Sequence, residues 1–167
     1  AVPAVVCDPD HFLIIAGLSW SAKDVGKLTG EAPNAFLMGG GMGGAITMAL
    51  GLALAQPKRT VLAVFGDGEC LMNAGSLSTV GFMQPANLAM LCVDNGTYGE
   101  TGNQLTHTAG NADLEMIARG CGIDRTLTVH SEDQYADAAT LLRKDGAPRF
   151  VLLRVSDAAP PAYARNF

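Results

Sequence analysis

Phe65-Gly66-Asp67-Gly68-Glu69 closes one apolar run, and Leu91-Cys92-Val93-Asp94-Asn95-Gly96-Thr97-Tyr98-Gly99 closes the next, one helix-length further along the chain. Each run reads as a strand that stops abruptly at small and oxygen-bearing residues. Open α/β sheets bind ligands outside the carboxyl ends of their strands, so both stops are expected to face one site. Asp67 offers a carboxylate, Asn95 an amide oxygen and the backbone at Thr97 a carbonyl. That all-oxygen set suits Mg²⁺ or Ca²⁺ rather than zinc. Gly66 and Gly68 let a phosphate approach the backbone, and a helix expected to begin near Leu71 would aim its free N–H groups at it. A metal–diphosphate site is the expectation.

Upstream, Gly39-Gly40-Gly41-Met42-Gly43-Gly44 ends the run Phe36-Leu37-Met38 and opens Ala45–Ala55, a segment apolar on nearly every face. Such a helix is expected to lie buried against the sheet, and consecutive glycines permit a positive φ and close backbone approach. Strands are expected at Phe12–Ala16, Ala35–Met38, Thr60–Phe65, Leu88–Val93, Thr126–Val129 and Phe150–Val155. Helices are expected at Gly43–Gln56, Leu71–Met83, Ala112–Cys121 and Asp133–Lys144, with Pro57-Lys58-Arg59 and Pro85-Ala86-Asn87 as breaks. Alternation of this kind predicts a three-layer α/β/α sandwich around a mostly parallel sheet.

The chain has 167 residues, 49% of them hydrophobic, with a formal net charge of −5. This suffices for one core, expected over residues 1–155, with 156–167 as a C-terminal arm carrying Pro160-Pro161 that crosses a subunit interface or stays loose. The mild acidity and 6% aromatic content argue against nucleic-acid binding. No apolar run approaches the ~20 residues that span a bilayer, and no basic segment precedes an apolar one at the start, so neither a membrane nor secretion is expected. Cys7, Cys70, Cys92 and Cys121 form no CxxC pair and read as reduced core thiols of a cytoplasmic protein.

Tyr98–Thr108 is long, polar and without a helical or strand period, the kind of strand-end loop that more often serves function than connection. Asn103 and Gln104 can donate amide hydrogens to an anion, and His107 is either a proton donor near neutral pH or a surface or capping histidine. Glu100 reads as a solvated loop carboxylate, and His11 and His130 as structural or exposed. A Rossmann nucleotide site is disfavoured, because Gly17-Leu18-Ser19-Trp20 rather than G-x-G-x-x-G follows the first strand.

The Gly66-Asp67-Gly68 turn, with Asn95 standing 28 positions after Asp67, resembles the motif of thiamine-diphosphate enzymes, a GDG followed just under thirty residues later by an Asn pair. The fold implied is the diphosphate-binding (PP) type. By the same resemblance Gly40, Gly41, Met42, Gly66, Asp67, Gly68, Glu69, Asn95, Thr97, Tyr98 and Gly99 bind thiamine diphosphate, and Asp67, Asn95 and Thr97 hold Mg²⁺. Met42 would be the apolar wedge that keeps the cofactor bent, and the Gly40 carbonyl would accept a hydrogen bond from its aminopyrimidine. The Gly102-Asn103-Gln104 segment is similar to one in phosphonopyruvate and sulfopyruvate decarboxylases, and the chain resembles the cofactor-binding subunit of the latter. That implies a lyase acting on a small anionic 2-oxo acid, with Asn103, Gln104 and His107 as candidate catalytic residues. A carboligase resembling acetolactate synthase, or a non-catalytic subunit that kept the fold, are the alternatives.

The family also needs a pyrimidine-binding domain whose glutamate protonates the cofactor. Glu31, Glu69, Glu100, Glu115 and Glu132 lack a matching context, so that glutamate is expected on a separate partner subunit, in a hetero-oligomer with two-fold symmetry. Two positions depart from the pattern. Asp94 replaces the first Asn of the pair, and Glu69 stands where a small or hydroxyl residue is frequent. A carboxylate at Glu69 is unfavourable beside a diphosphate unless it turns to a cation or to solvent.

Overall fold

Six apolar segments pair side by side in the computed structural model, which describes residues 1–156. They are β1 (Phe12–Ala16), β2 (Ala35–Leu37), β3 (Thr60–Gly66), β4 (Leu88–Asp94), β7 (Arg125–Val129) and β8 (Arg149–Arg154). Their order is β2-β1-β3-β4-β8-β7, and every pairing is parallel. A separate antiparallel pair, β5 (Thr97–Tyr98) with β6 (Gln104–Leu105), lies in the long polar loop. Around the sheet are α1 (Val2–Val6), α2 (Trp20–Thr29), α3 (Ala45–Ala55), α4 (Asp67–Met72), α5 (Gly75–Met83), α6 (Leu114–Gly120) and α7 (Tyr135–Arg143). The three-layer α/β/α expectation holds, and the main sheet is parallel throughout.

Strand residues alternate between two cores. Val61, Ala63, Phe65, Met90, Cys92, Phe150 and Leu152 pack with α3, α5 and α6, whereas Leu62, Val64, Ala89, Leu91, Val151 and Leu153 pack with α1, α2 and α7. Burial on both faces is why β3 and β4 read as unbroken apolar runs rather than as alternating ones. Phe12–Ala16 is observed as expected, and the other five strands match within one residue at each end.

The helices differ more. Neither α1 nor α2 was expected; α1 is five residues long and α2 carries an internal Gly26 among polar residues, so both give weak periodic signals. The helix expected over Leu71–Met83 starts four residues earlier, at Asp67, and is broken between Met72 and Gly75. Asn73 at that break donates its side-chain N–H to the Gly43 carbonyl at 2.9 Å, fastening the glycine-rich segment to the α4–α5 junction. Helix α3 is only half buried: Ala45, Ile46, Ala49, Leu50 and Ala53 face the sheet, while Met48 and Leu54 are 41% and 49% exposed. Its apolar outer face corrects the expectation of full burial. Cys70 and Cys92 are buried, Cys121 is partly so and Cys7 is exposed; none is in a disulfide. Residues 157–167 of the expected C-terminal arm lie outside the described residues.

Candidate functional site

The chain passes from β1 outward to β2 and returns across β1 to β3, so the winding direction reverses between β1 and β3. A crevice opens at such a switch point at the carboxyl ends of the two strands. Here it is lined by Leu18, Ser19, Trp20 and Ser21 after β1, Gly66–Glu69 after β3, and Asn95, Thr97, Tyr98, Gly99, Glu100 and Thr101 after β4, with Met42 and Val93 completing the wall. Of the candidate cofactor residues, Met42, Gly66, Asp67, Gly68, Glu69, Asn95, Thr97, Tyr98 and Gly99 therefore border one cavity. Gly40 and Gly41 do not line it; both are exposed beside Met42.

Asp67 is 1% exposed, and its Oδ2 accepts hydrogen bonds from Thr106 Oγ1 at 2.5 Å and Thr108 Oγ1 at 3.0 Å. Burial pushes its carboxyl above the ordinary range and the Thr106 hydroxyl pulls it back, while the nearby Asp94 carboxylate pushes it up again. Asn95 Oδ1 accepts the Thr97 N–H at 3.2 Å and its Nδ2 donates to Thr97 Oγ1 at 2.9 Å, a local turn that fixes the amide. Among the described residues no three His, Cys, Asp or Glu side chains cluster closely enough to hold a metal ion by themselves. A cation at Asp67 would therefore draw its remaining oxygens from the Asn95 amide, a backbone carbonyl and a bound ligand. A cation bridging protein and diphosphate fits that donor set; a self-contained zinc site does not.

Glu69 turns away from solvent and onto backbone donors. It is 5% exposed, its Oε2 accepts the Leu18 N–H at 3.1 Å, and its Oε1 accepts the Ala45 N–H at 3.3 Å. One carboxylate thus ties the loop after β1 and the start of α3 to the GDG turn. Gly68 is required by packing, because a Cβ there would lie 2.4 Å from the Tyr98 ring.

Asn103, Gln104 and His107 do not reach the cavity. Asn103 is exposed with φ of 58°, and Gln104 on β6 bonds back to Thr101 at 2.8 Å and 3.0 Å. His107 is exposed at the start of a 3₁₀ turn, His107–Ala109. The inward residues of this loop are its neighbours Thr106 and Thr108, both buried against Asp67. Sequence reasoning passed them over, because the loop has no helical or strand period and the inward turn of Thr106 and Thr108 is set by their contacts with Asp67. It also passed over the β1 loop. The signal available there was an apolar run stopping at Gly17 just before Ser19-Trp20-Ser21.

The profile of the thiamine pyrophosphate enzyme C-terminal TPP-binding domain matches residues 24–154. The chain belongs to this family. It is 43% identical over 123 residues to the sulfopyruvate decarboxylase subunit beta of Methanocaldococcus jannaschii, covering 74% of this chain and 64% of that subunit. It is also 45% identical over 121 residues to phosphonopyruvate decarboxylase of Streptomyces viridochromogenes, covering 72% of this chain and 30% of that enzyme. Among solved structures, the thiamine diphosphate-dependent 4-hydroxybenzoylformate decarboxylase of Rhodococcus jostii RHA1 superposes with a TM-score of 0.72 at 22% identity, over 92% of this chain and 31% of that one. This last likeness concerns the fold. The chain spans less than two thirds of the length of each of these three proteins. No helix among the described residues is long and apolar enough to cross a membrane.

Proposed function

We propose that this chain is the cofactor-binding part of a thiamine-diphosphate-dependent lyase that decarboxylates a small anionic 2-oxo acid of the sulfopyruvate or phosphonopyruvate kind. The observation that carries the reading is the convergence of Asp67 and Asn95, at the ends of adjacent strands β3 and β4, on one cavity at the switch point of a thiamine-pyrophosphate-enzyme domain. Asp67, Asn95 and the backbone at Thr97 would hold Mg²⁺ and the diphosphate, and Met42, which lines the same cavity, would support the cofactor. When bound, thiamine diphosphate supplies the electron sink that takes up the electron pair left as CO₂ departs. The chain's own task is to fix the diphosphate, to exclude water with Trp20, Tyr98 and Val93, and to bring polar loop groups to the substrate.

A complete site needs a pyrimidine domain with its activating glutamate, which we assign to a separate subunit. Sequence similarity to a subunit named beta supports that division. Large apolar side chains left exposed on α3, α4 and α5 (Met48, Leu54, Met72, Phe82 and Met83) support assembly, here read as a hetero-oligomer with two-fold symmetry. Four unpaired cysteines support a reducing, cytoplasmic setting. We read residues 1–155 as the domain and 156–167 as an arm beyond it. The test is CO₂ release from pyruvate, sulfopyruvate and phosphonopyruvate by the chain mixed with a pyrimidine-domain partner, thiamine diphosphate and Mg²⁺. Release from the sulfonate or phosphonate substrate in preference to pyruvate is expected. Release from none of the three would replace decarboxylation by carboligation.

A further inference from the structure

Two buried carboxylates, Asp67 and Asp94, share one hydroxyl. Thr108 Oγ1 stands 2.7 Å from Asp94 Oδ1 and 3.0 Å from Asp67 Oδ2. A threonine hydroxyl has a single proton and can donate to only one of them. Asp94 has two other donors: the Gly96 N–H reaches its Oδ1 at 3.0 Å, and the Arg154 guanidinium bonds its Oδ2. Arg154 extends from the end of β8, next to β4 in the sheet, with Asp94 opposite it in register. The Asp94 side chain is fully buried, and among the described residues this is the ion pair that either carboxylate makes.

We propose that Arg154 is a positioning residue for the cation at Asp67, acting through Asp94 and Thr108; the inference rests on the reading of Asp67 as a ligand to a cation that binds thiamine diphosphate. With Arg154 in place, Asp94 is satisfied without the Thr108 proton, which is free to be donated to Asp67. Thr106 and Thr108 then both hold Asp67 Oδ2, the carboxylate cannot turn, and its second oxygen is presented to the ion. Without the guanidinium, Asp94 becomes a buried unpaired charge that draws the Thr108 proton to itself and repels Asp67. The arrangement also accounts for Asp94 standing where the related motif has an asparagine: the extra charge is matched by Arg154.

The experiment is a Mg²⁺ titration, at fixed thiamine diphosphate, of the chain assembled with its pyrimidine-domain partner, followed by calorimetry and by the emission of Trp20, this chain's single tryptophan and part of the cavity wall. Arg154→Met is expected to raise the Mg²⁺ midpoint by about tenfold or more, the scale on which outer partners of metal ligands act. Arg154→Lys should recover most of the loss, because it keeps the charge. In an Asp94→Asn background the same Arg154→Met change should leave the midpoint nearly unmoved, since no charge remains to be matched. An unchanged midpoint in Arg154→Met, or an equal rise in the Asp94→Asn background, would overturn the inference while leaving the cofactor reading intact. A lowered melting temperature with an unchanged midpoint would assign Arg154 to the stability of β8 and overturn it as well. No Mg²⁺-dependent response in the wild-type assembly would overturn the cofactor reading and this inference with it.

Discussion

Glu69 sits in the wall of the switch-point cavity, and its carboxylate is taken up by backbone donors, the N–H groups of Leu18 and Ala45. Burial raises its carboxyl above the ordinary range, more than those N–H bonds lower it. The native state therefore keeps this proton to higher pH than the unfolded chain does. Its contribution to stability is full below the unfolded value and is lost as pH rises through the native one. Glu69→Gln, which does not titrate, should be less stable than wild type in denaturant unfolding by a margin that narrows as pH rises above the ordinary glutamate range; a margin that widens with pH would contradict this assignment. Glu69→Ala would orphan the buried Ala45 N–H at a cost of about 1–3 kcal/mol. Gly17→Ala should do comparable damage, because its Cβ would fall 1.9 Å from Glu69 Oε2. At this scale the placement of Asp67 and Asn95 at one strand-end cavity was legible, since both follow apolar runs that stop at oxygen-bearing residues. The inward turn of Glu69 was not, because its partners are backbone groups from two segments remote in sequence.

Among the elements, the loop after β4 divides into an inner and an outer side. Thr106 and Thr108 grip Asp67, whereas Asn103, Gln104 and His107 face outward, away from the cavity walls. Substitutions at Asn103, Gln104 or His107 should accordingly leave cofactor binding intact, whereas Thr106→Val should weaken it. Steady-state kinetics with parallel calorimetry separates the two outcomes. Outer variants that match wild type on every accepted substrate would make that side a connector. Gly68→Ala is expected to displace the Tyr98 ring and weaken cofactor binding as well, readable in the same titration. Strands with two buried faces were easy to read as continuous apolar runs. Helix α2 and the β5–β6 hairpin were not, because a ten-residue helix with an internal glycine and two-residue strands owe their form to tertiary contacts rather than to local pattern.

For the whole molecule, the parallel topology places the switch point, and the switch point places the cavity, so the fold and the location of the site follow from one feature of chain order. The apolar outer face of α3 was legible only as apolarity; whether such a face meets the sheet or a partner depends on assembly, which periodicity does not encode. Since the proposed cofactor lies between this domain and a pyrimidine domain, the isolated chain should bind thiamine diphosphate weakly and turn over no 2-oxo acid, with activity appearing on addition of the partner. A purified chain that decarboxylates alone would refute the divided site. The most direct test of the central claim is calorimetric titration of thiamine diphosphate with Mg²⁺ into the assembled enzyme, wild type against Asp67→Ala. The account predicts that the variant keeps its fold by circular dichroism and loses measurable binding; unchanged affinity in the folded variant would contradict it.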